Sequence, residues 1–354
     1  MLESSNIKKT AIVLFNLGGP DSLKSIQPFL FNLFYDPAII NLPNPLRFFV
    51  AKLISFTRSK KANKIYSLIG NKSPILEETI LQKKALTELL QKNKNINFKI
   101  FICMRYFSPR ASETIKEIEQ YKPHEIILLP LYPQFSTTTT GSSINEFFSI
   151  ISSSKVNNVI IKTICCYCTE SDYIKSHITL INESITKIKH AASFRILFSA
   201  HSLPVKIINQ GDPYQWQIEL TVKRIIDDIN IKDLDYRISY QSKIGPVEWL
   251  KPSTEDEIKN ACIDKKALII VPIAFVSEHV ETLVELDIDY RSIANKYQLQ
   301  YIRVPTLRIN ELFISSLTNI VQSFINHNAM SNICSSSNLQ KICPAFLKQC
   351  PCTG

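Results

Sequence analysis

Two hydrophobic patterns alternate along the chain. Short runs rich in Ile, Val, Leu and Phe recur over 10–17, 98–104, 125–131, 159–165, 195–200, 236–241, 267–274 and 300–304. Most are continuous rather than alternating, which predicts strands covered on both faces, as in a parallel sheet. Between them, 79–91, 109–120, 172–189 and 212–229 carry apolar residues at helical spacing, and 312–325 repeats that spacing near the end. The order predicts an α/β fold with helices on both faces of each sheet. The eight strands divide into two sets of four around the Ser-rich stretch 149–154, and no tandem repeat is visible.

In parallel sheets, ligands gather at the carboxyl ends of the strands. Four such ends carry polar or glycine-rich loops: Asn16-Leu17-Gly18-Gly19-Pro20, Tyr132-Pro133-Gln134, Ser199-Ala200-His201 and Ser277-Glu278-His279. Their convergence predicts one cleft. His201 stands at a strand tip, where neighbouring groups can tune an imidazole near neutrality; a hydrogen-bonded loop histidine is the plainer reading. If Ser277 caps a helix, Glu278, Glu281, Glu285 and Asp289 form a stripe roughly 80° wide at 100° per residue. Such a stripe is either a solvated acidic face or a path for a divalent cation and protons, since hard carboxylates and a neutral imidazole both suit Fe²⁺. Gly18-Gly19-Pro20 lacks any nucleotide-loop pattern and fits close approach of the backbone to a flat ligand. Residues 137–143 read equally as an anion-binding helix start or a capped turn.

The aromatic stretches 28–35 and 46–50 are either core or a hydrophobic lip touching a membrane, with Arg47 and Lys52 toward lipid headgroups. Composition narrows the partners. With 354 residues, 45% hydrophobic and 20% charged, the chain has ample core and disorder is not expected. A net charge of +10 suits an anionic partner. The basic residues are scattered and form no nucleic-acid motif, so no nucleic acid is expected. No run reaches the ~18 apolar residues of a membrane span, and no secretory or import leader is evident. The expected address is a bacterial cytoplasm, where nine cysteines serve as thiols or metal ligands. Cys343, Cys350 and Cys352 form C-x6-C-x-C near Cys334, one ligand short of a four-thiolate site. Cys165, Cys166 and Cys168 offer the fourth; an incidentally Cys-rich end is the alternative.

Taken in order, Phe15 to Pro20, Tyr66 to Pro74, Met104-Arg105-Tyr106, Tyr132 to Phe135, Phe198 to Pro204, Gly211 to Tyr214, Gln241-Ser242-Lys243, Trp249-Leu250 and Pro272 to Asp289 resemble the ferrochelatases. The resemblance covers residues 8–330. It implies two Rossmann-like domains: 1–150 with the lip, joined by the helix near 310–330, and 151–309 with His201 and the acidic stripe, followed by the Cys-rich tail 331–354. It implies insertion of Fe²⁺, as substrate, into protoporphyrin IX at the end of heme biosynthesis, by exchange of metal for protons on a distorted porphyrin. His201 and Glu281 match the catalytic pair; Glu278 and Glu285 join them as metal residues. Leu17, Tyr132, Trp249 and Phe275 match the porphyrin pocket, and Ser73 and Arg105 resemble groups near the propionates. The tail resembles that of the subset carrying a [2Fe–2S] cluster, with Cys166 as the expected companion of Cys343, Cys350 and Cys352, because Thr137 stands where animal enzymes have their remote cysteine. Expected partners are the porphyrin, ferrous iron and the inner face of the cell membrane, with a homodimer left open. A non-catalytic tetrapyrrole-binding protein, a coproporphyrin chelatase and a cobalt chelatase are the rivals on the same fold.

Overall fold

The computed structural model describes residues 8–94, 96–189, 193–243 and 245–352. The remaining positions within the expected domains and tail (1–7, 95, 190–192, 244 and 353–354) lie outside the described residues. The first half runs β1 (Lys9–Asn16), α1 (Ile26–Phe34), α2 (Leu46–Ser67), α3 (Ile75–Leu90), β2 (Asn97–Met104), α4 (Ala111–Tyr121), β3 (Glu125–Pro130), α5 (Ser142–Ile151), β4 (Ile160–Cys166) and α6 (Ser171–Ile185). The second runs β5 (Phe194–His201), α7 (Val205–Asn209), α8 (Tyr214–Asp228), β6 (Tyr236–Gln241), α9 (Thr254–Ile263) and β7 (Ala267–Pro272). A π-wound helix, Glu281–Tyr290, then flows into α10 (Arg291–Lys296), followed by β8 (Tyr301–Arg303), α11 (Glu311–Asn326) and β9 (Ile333–Ser336).

The strands form two parallel sheets, β2-β1-β3-β4-β9 and β6-β5-β7-β8. All eight expected strands are present, so the α/β reading stands. Two details differ. The first sheet has five strands, because β9, from the Cys-rich tail, pairs with β4 (Lys162↔Ile333, Thr163↔Cys334). Its Ile-Cys-Ser-Ser sequence is too short and too polar to announce a strand. β4 pairs with β3, so the sheets change after residue 166 and not at the Ser-rich stretch near 150. The aromatic stretches 28–35 and 46–50 fall on α1, ending at its cap residue Tyr35, and on α2.

Buried strand faces explain the layers. Ile12, Leu14, Ile127 and Leu129 face one way and join Phe313, Leu317 and Val321 of α11 in a core that continues to Ile196, Phe198, Ile269 and Val271 of the second sheet. Val13, Phe15, Ile126 and Leu128 face the other way, onto α4 and α5. This is the two-residue alternation of strands with both faces covered.

Buried polar groups lock the layers together. Lys162 of β4, with no exposure, pairs with Glu125 at 2.9 Å and donates to the carbonyls of Phe324 (2.6 Å) and His327 (2.7 Å), where α11 ends. A cation at a helix C-terminus meets its exposed carbonyls and its dipole. Between the sheets, Gln82 of α3 donates from Nε2 to the carbonyls of Val276 (3.0 Å) and Arg308 (3.1 Å), and its Oε1 accepts from the Ser277 hydroxyl. Gln134, after β3, donates to Thr221 of α8 at 3.1 Å, and Phe135 N–H donates to Gln217 Oε1 at 2.7 Å. These contacts hold the carboxyl ends of both sheets against one opening.

Candidate active site

The opening is a cavity of about 510 Å³ whose lining includes Leu17, Tyr132, His201, Trp249, Phe275 and Glu281. Its walls are mostly apolar, as a flat hydrophobic ligand requires. His201 ends β5 opposite Gln241 of β6. On its other side, Ile273 N–H donates to the Ser199 carbonyl and starts the loop toward Glu281. Trp249 is held beside the His201 loop by its bridge to Pro204. Phe275 lies 4.6 Å from the His279 ring, centre to centre.

His201 Nδ1 and Glu281 Oε2 are 2.8 Å apart. With the carboxylate ionised, Nδ1 carries the proton and donates, leaving Nε2 as the basic nitrogen. Nε2 has no hydrogen-bond partner among the described residues. Ser242, just beyond β6, adopts φ 65°, a left-handed conformation unusual for a side chain other than Gly or Asn. From there its N–H donates to Glu285 Oε1 at 3.0 Å, and its hydroxyl sits between Glu285 and Glu281. Tyr290 donates to Glu285 at 2.8 Å, extending the chain of contacts away from the cavity.

Burial opposes a charge on His201, but the Glu281 carboxylate beside it, and then Glu285, outweigh that and raise its pKa above the ordinary 6.5. Burial likewise opposes ionisation of Glu281. His201, then His279 and Ser242, overcome it and hold the carboxyl at about 2. Glu285 shifts upward, through burial and the repulsion of Glu281. His279 is pushed down by burial, which favours a neutral ring 4.0 Å from Glu281. The site therefore holds a firmly ionised carboxylate against an imidazole of raised pKa, with a second carboxylate of raised pKa joined to them through Ser242.

Several expected residues stand elsewhere. The acidic stripe breaks, because the helix begins after Glu278 and is π-wound from Glu281, a winding common at functional sites. Glu278 turns away and is consumed by Arg303 (2.8 Å), Thr282 (2.6 Å) and the Thr306 N–H (3.1 Å). Asp289 is exposed. Among the described residues, no three His, Cys, Asp or Glu side chains converge as a ligand set for a single ion. Arg105 does not line the cavity. It is buried between Asp36 (3.0 Å) and Glu146 (3.0 Å) and donates to Ser142, so its charge is already neutralised. Ser73 is buried under Gly19, where its hydroxyl meets the Ile75 N–H at 3.4 Å. Arg47 folds over the Tyr35 ring and donates to the Leu42 carbonyl. The cation that does line the cavity is Arg58 of α2, over the Phe34 ring and without an ion-pair partner among the described residues. Only its place one α2 turn from Ile54, another lining residue, could have signalled it.

Several cysteines pack together, although no three of them form a ligand set for one ion among the described residues. Cys165, Cys166 and Cys352 share a buried cluster with Phe135, with Cys334 and Cys350 packed against it. Cys165 and Cys166 sulfurs are 3.7 Å apart. Thiols of Cys165 and Cys168 donate toward Cys166, lowering its pKa well below the usual thiol value, and Cys343 does the same for Cys350.

A sequence profile for the family described as Ferrochelatase matches residues 9–324. The chain is 60% identical over 347 residues to the ferrochelatase of Rickettsia bellii (strain OSU 85-389), covering 98% of this chain and 96% of the relative. It is 48% identical over 348 residues to that of Pelagibacter ubique (strain HTCC1062), covering 97% and 98%. Among solved structures, SirB from Bacillus subtilis with Fe³⁺ shares the fold at a TM-score of 0.53 and 9% identity, covering 90% of this chain and 96% of that one. Replacing Glu281 with Gln removes the principal force that raises the His201 pKa, leaving burial opposed by Glu285. The expected outcome is a lower His201 pKa in an NMR titration, and no change would refute the pairing.

Proposed function

The chain belongs to the ferrochelatase family, and we propose that His201, oriented by Glu281, accepts pyrrole protons as iron enters protoporphyrin IX. The family's activity is insertion of iron into protoporphyrin IX to make heme, a lyase reaction of heme biosynthesis. The observation that carries the proposal is the 2.8 Å contact between His201 and Glu281 on the cavity wall. Glu281 is too weak a base, held near 2, to take a pyrrole proton; it stays anionic and favours the cation forming on His201. The same fixed negative charge attracts the incoming Fe²⁺. Protons then pass by Ser242 to Glu285, whose raised pKa suits it to receive them. The porphyrin lies on the apolar wall of Leu17, Tyr132, Trp249 and Phe275, and Arg58 meets a propionate. His201→Ala should lower iron or zinc insertion by about 10²–10⁴-fold with porphyrin binding retained; unimpaired turnover would refute the role. The acidic limb of the wild-type rate profile follows His201, since activity rises as the imidazole loses its proton, and Glu281→Gln shifts that limb to lower pH.

The tail carries a second proposed assignment. Cys166, Cys343, Cys350 and Cys352 would hold a [2Fe–2S] cluster through their thiolates. The packing of Cys166, Cys350 and Cys352 in one cluster, with Cys343 donating to Cys350, and the lowered pKa of Cys166 and Cys350 support that donor set. When bound, the cluster would supply one-electron redox chemistry. Anaerobically isolated protein should contain about two irons and two sulfides per chain, lost in Cys166→Ser and kept in Cys165→Ser. Colourless, iron-free, active protein would refute it.

No helix among the described residues is long and apolar enough to cross a membrane. The exposed stripe Leu46, Phe49, Leu53 and Phe56 on α2, flanked by exposed Lys52, Lys60 and Lys64, supports docking on an anionic membrane at its cytoplasmic face. Leu53→Glu combined with Phe56→Glu should abolish co-sedimentation with phosphatidylserine-containing vesicles. Wild-type protein that stays in the supernatant would exclude this docking.

A further inference from the structure

The thiol cluster and the cleft meet on the first turns of α8. Gln217, fully buried there, donates from Nε2 to the Cys343 sulfur at 3.2 Å and accepts at Oε1 from Phe135 N–H at 2.7 Å. The amide has one orientation, since the Phe135 N–H needs an oxygen acceptor, which leaves Nε2 to face the Cys343 sulfur. Phe135 stands between Gln134 and Ser136, both of which line the cavity. Tyr214, one turn earlier on α8, also lines it and donates its hydroxyl to the His201 carbonyl at 3.1 Å.

The tail also touches the loop that leads into α8. Gln349 N–H donates to the Gly211 carbonyl at 3.1 Å, and a Cβ on Gly211 would stand 2.9 Å from the Lys348 nitrogen. With φ of 95° as well, glycine is required at this point. Asp212 ties the turn back to the cavity wall: one oxygen accepts from Tyr214 N–H (2.9 Å), the other from Thr137 N–H (2.8 Å) and the Ser136 hydroxyl (3.0 Å). Tail, α8 turn and cavity wall thus form one continuous set of hydrogen bonds, buried at Gln217, Asp212 and Ser136.

We propose that Gln217 is a positioning residue that couples the state of the Cys343 sulfur to occupancy of the porphyrin cleft. The proposal rests on the ferrochelatase reading of the cleft and the cluster reading of the tail. An N–H donated to a ligand sulfur stabilises the more electron-rich, reduced cluster. Porphyrin that shifts Phe135 or Tyr214 alters that bond, and by linkage the state of the tail alters porphyrin affinity by the same factor.

The test titrates anaerobically isolated full-length protein with metal-free protoporphyrin IX. Hydrogen exchange is followed at tail amides 343–352, and the cluster by EPR and redox titration. Wild-type protein should show a severalfold change in tail exchange and a shifted cluster potential on saturation. Gln217→Leu should lose both responses and have a more negative resting potential. If Gln217→Leu does not fold, Gly211→Ala, which displaces the tail at its second contact, should weaken the same responses. No porphyrin response in wild type, or an unchanged response in the variants, would overturn the coupling. Protein lacking iron and sulfide would overturn the cluster reading alone, and tail exchange would still decide the coupling.

Discussion

The geometry of the cleft depends on three buried glutamines that cross between the sheets. Gln82, Gln134 and Gln217 are each almost wholly removed from solvent, and each satisfies groups on the opposite side of the seam. A buried amide left without its partners costs about 1–3 kcal/mol, so the sheets cannot slide without breaking several such bonds at once. Apolar packing would tolerate small displacements; directional hydrogen bonds set a register. The seam brings the end of β5 and the loop after β7 to face the ends of β1 and β3 across the cavity.

Within that frame, the chemistry comes from how neighbouring charges divide one proton inventory. Glu281 is held ionised by His201, and its charge in turn raises His201 and Glu285. A basic nitrogen beside a permanent anion, with a protonatable carboxylate behind, suits an exchange in which protons leave as a cation arrives. The π-wound start of the helix and the left-handed Ser242 are the two local departures from regular geometry that bring Glu281 and Glu285 to the same hydroxyl. Arg303, by taking Glu278, keeps a further negative charge from entering the group.

The buried arginine and the half-buried one illustrate how context decides a role. Arg105 and Arg58 are chemically identical, yet Asp36 and Glu146 neutralise the first, and the second reaches the cavity unpaired among the described residues. Likewise the tail, which has too little apolar sequence for a core, gains order by adding β9 to the first sheet and setting its thiols against Cys165 and Cys166.

Much of this was legible in one dimension. Continuous apolar runs such as Ile126 to Leu129 identified parallel strands, because burial on both faces leaves no polar position. Strand ends located the cleft, and ordered motifs identified the family. The structure adds a fifth strand to the first sheet, breaks the acidic stripe at Glu278, and sets Ser73 and Arg105 outside the cavity lining. A helical period assumed at 100° per residue could not foresee a π-helix that begins after Glu278. Nor could local sequence reveal that Arg105 is spent on Asp36, 69 positions away, or that Arg58 is not. The sequence by itself determined which segments are strands, which family they build and which residue types are present to do the chemistry. Tertiary structure alone decided which of those side chains are free to act, because a charge or a hydrogen bond is committed by neighbours in space, and those neighbours are set by sheet register and the glutamine seam.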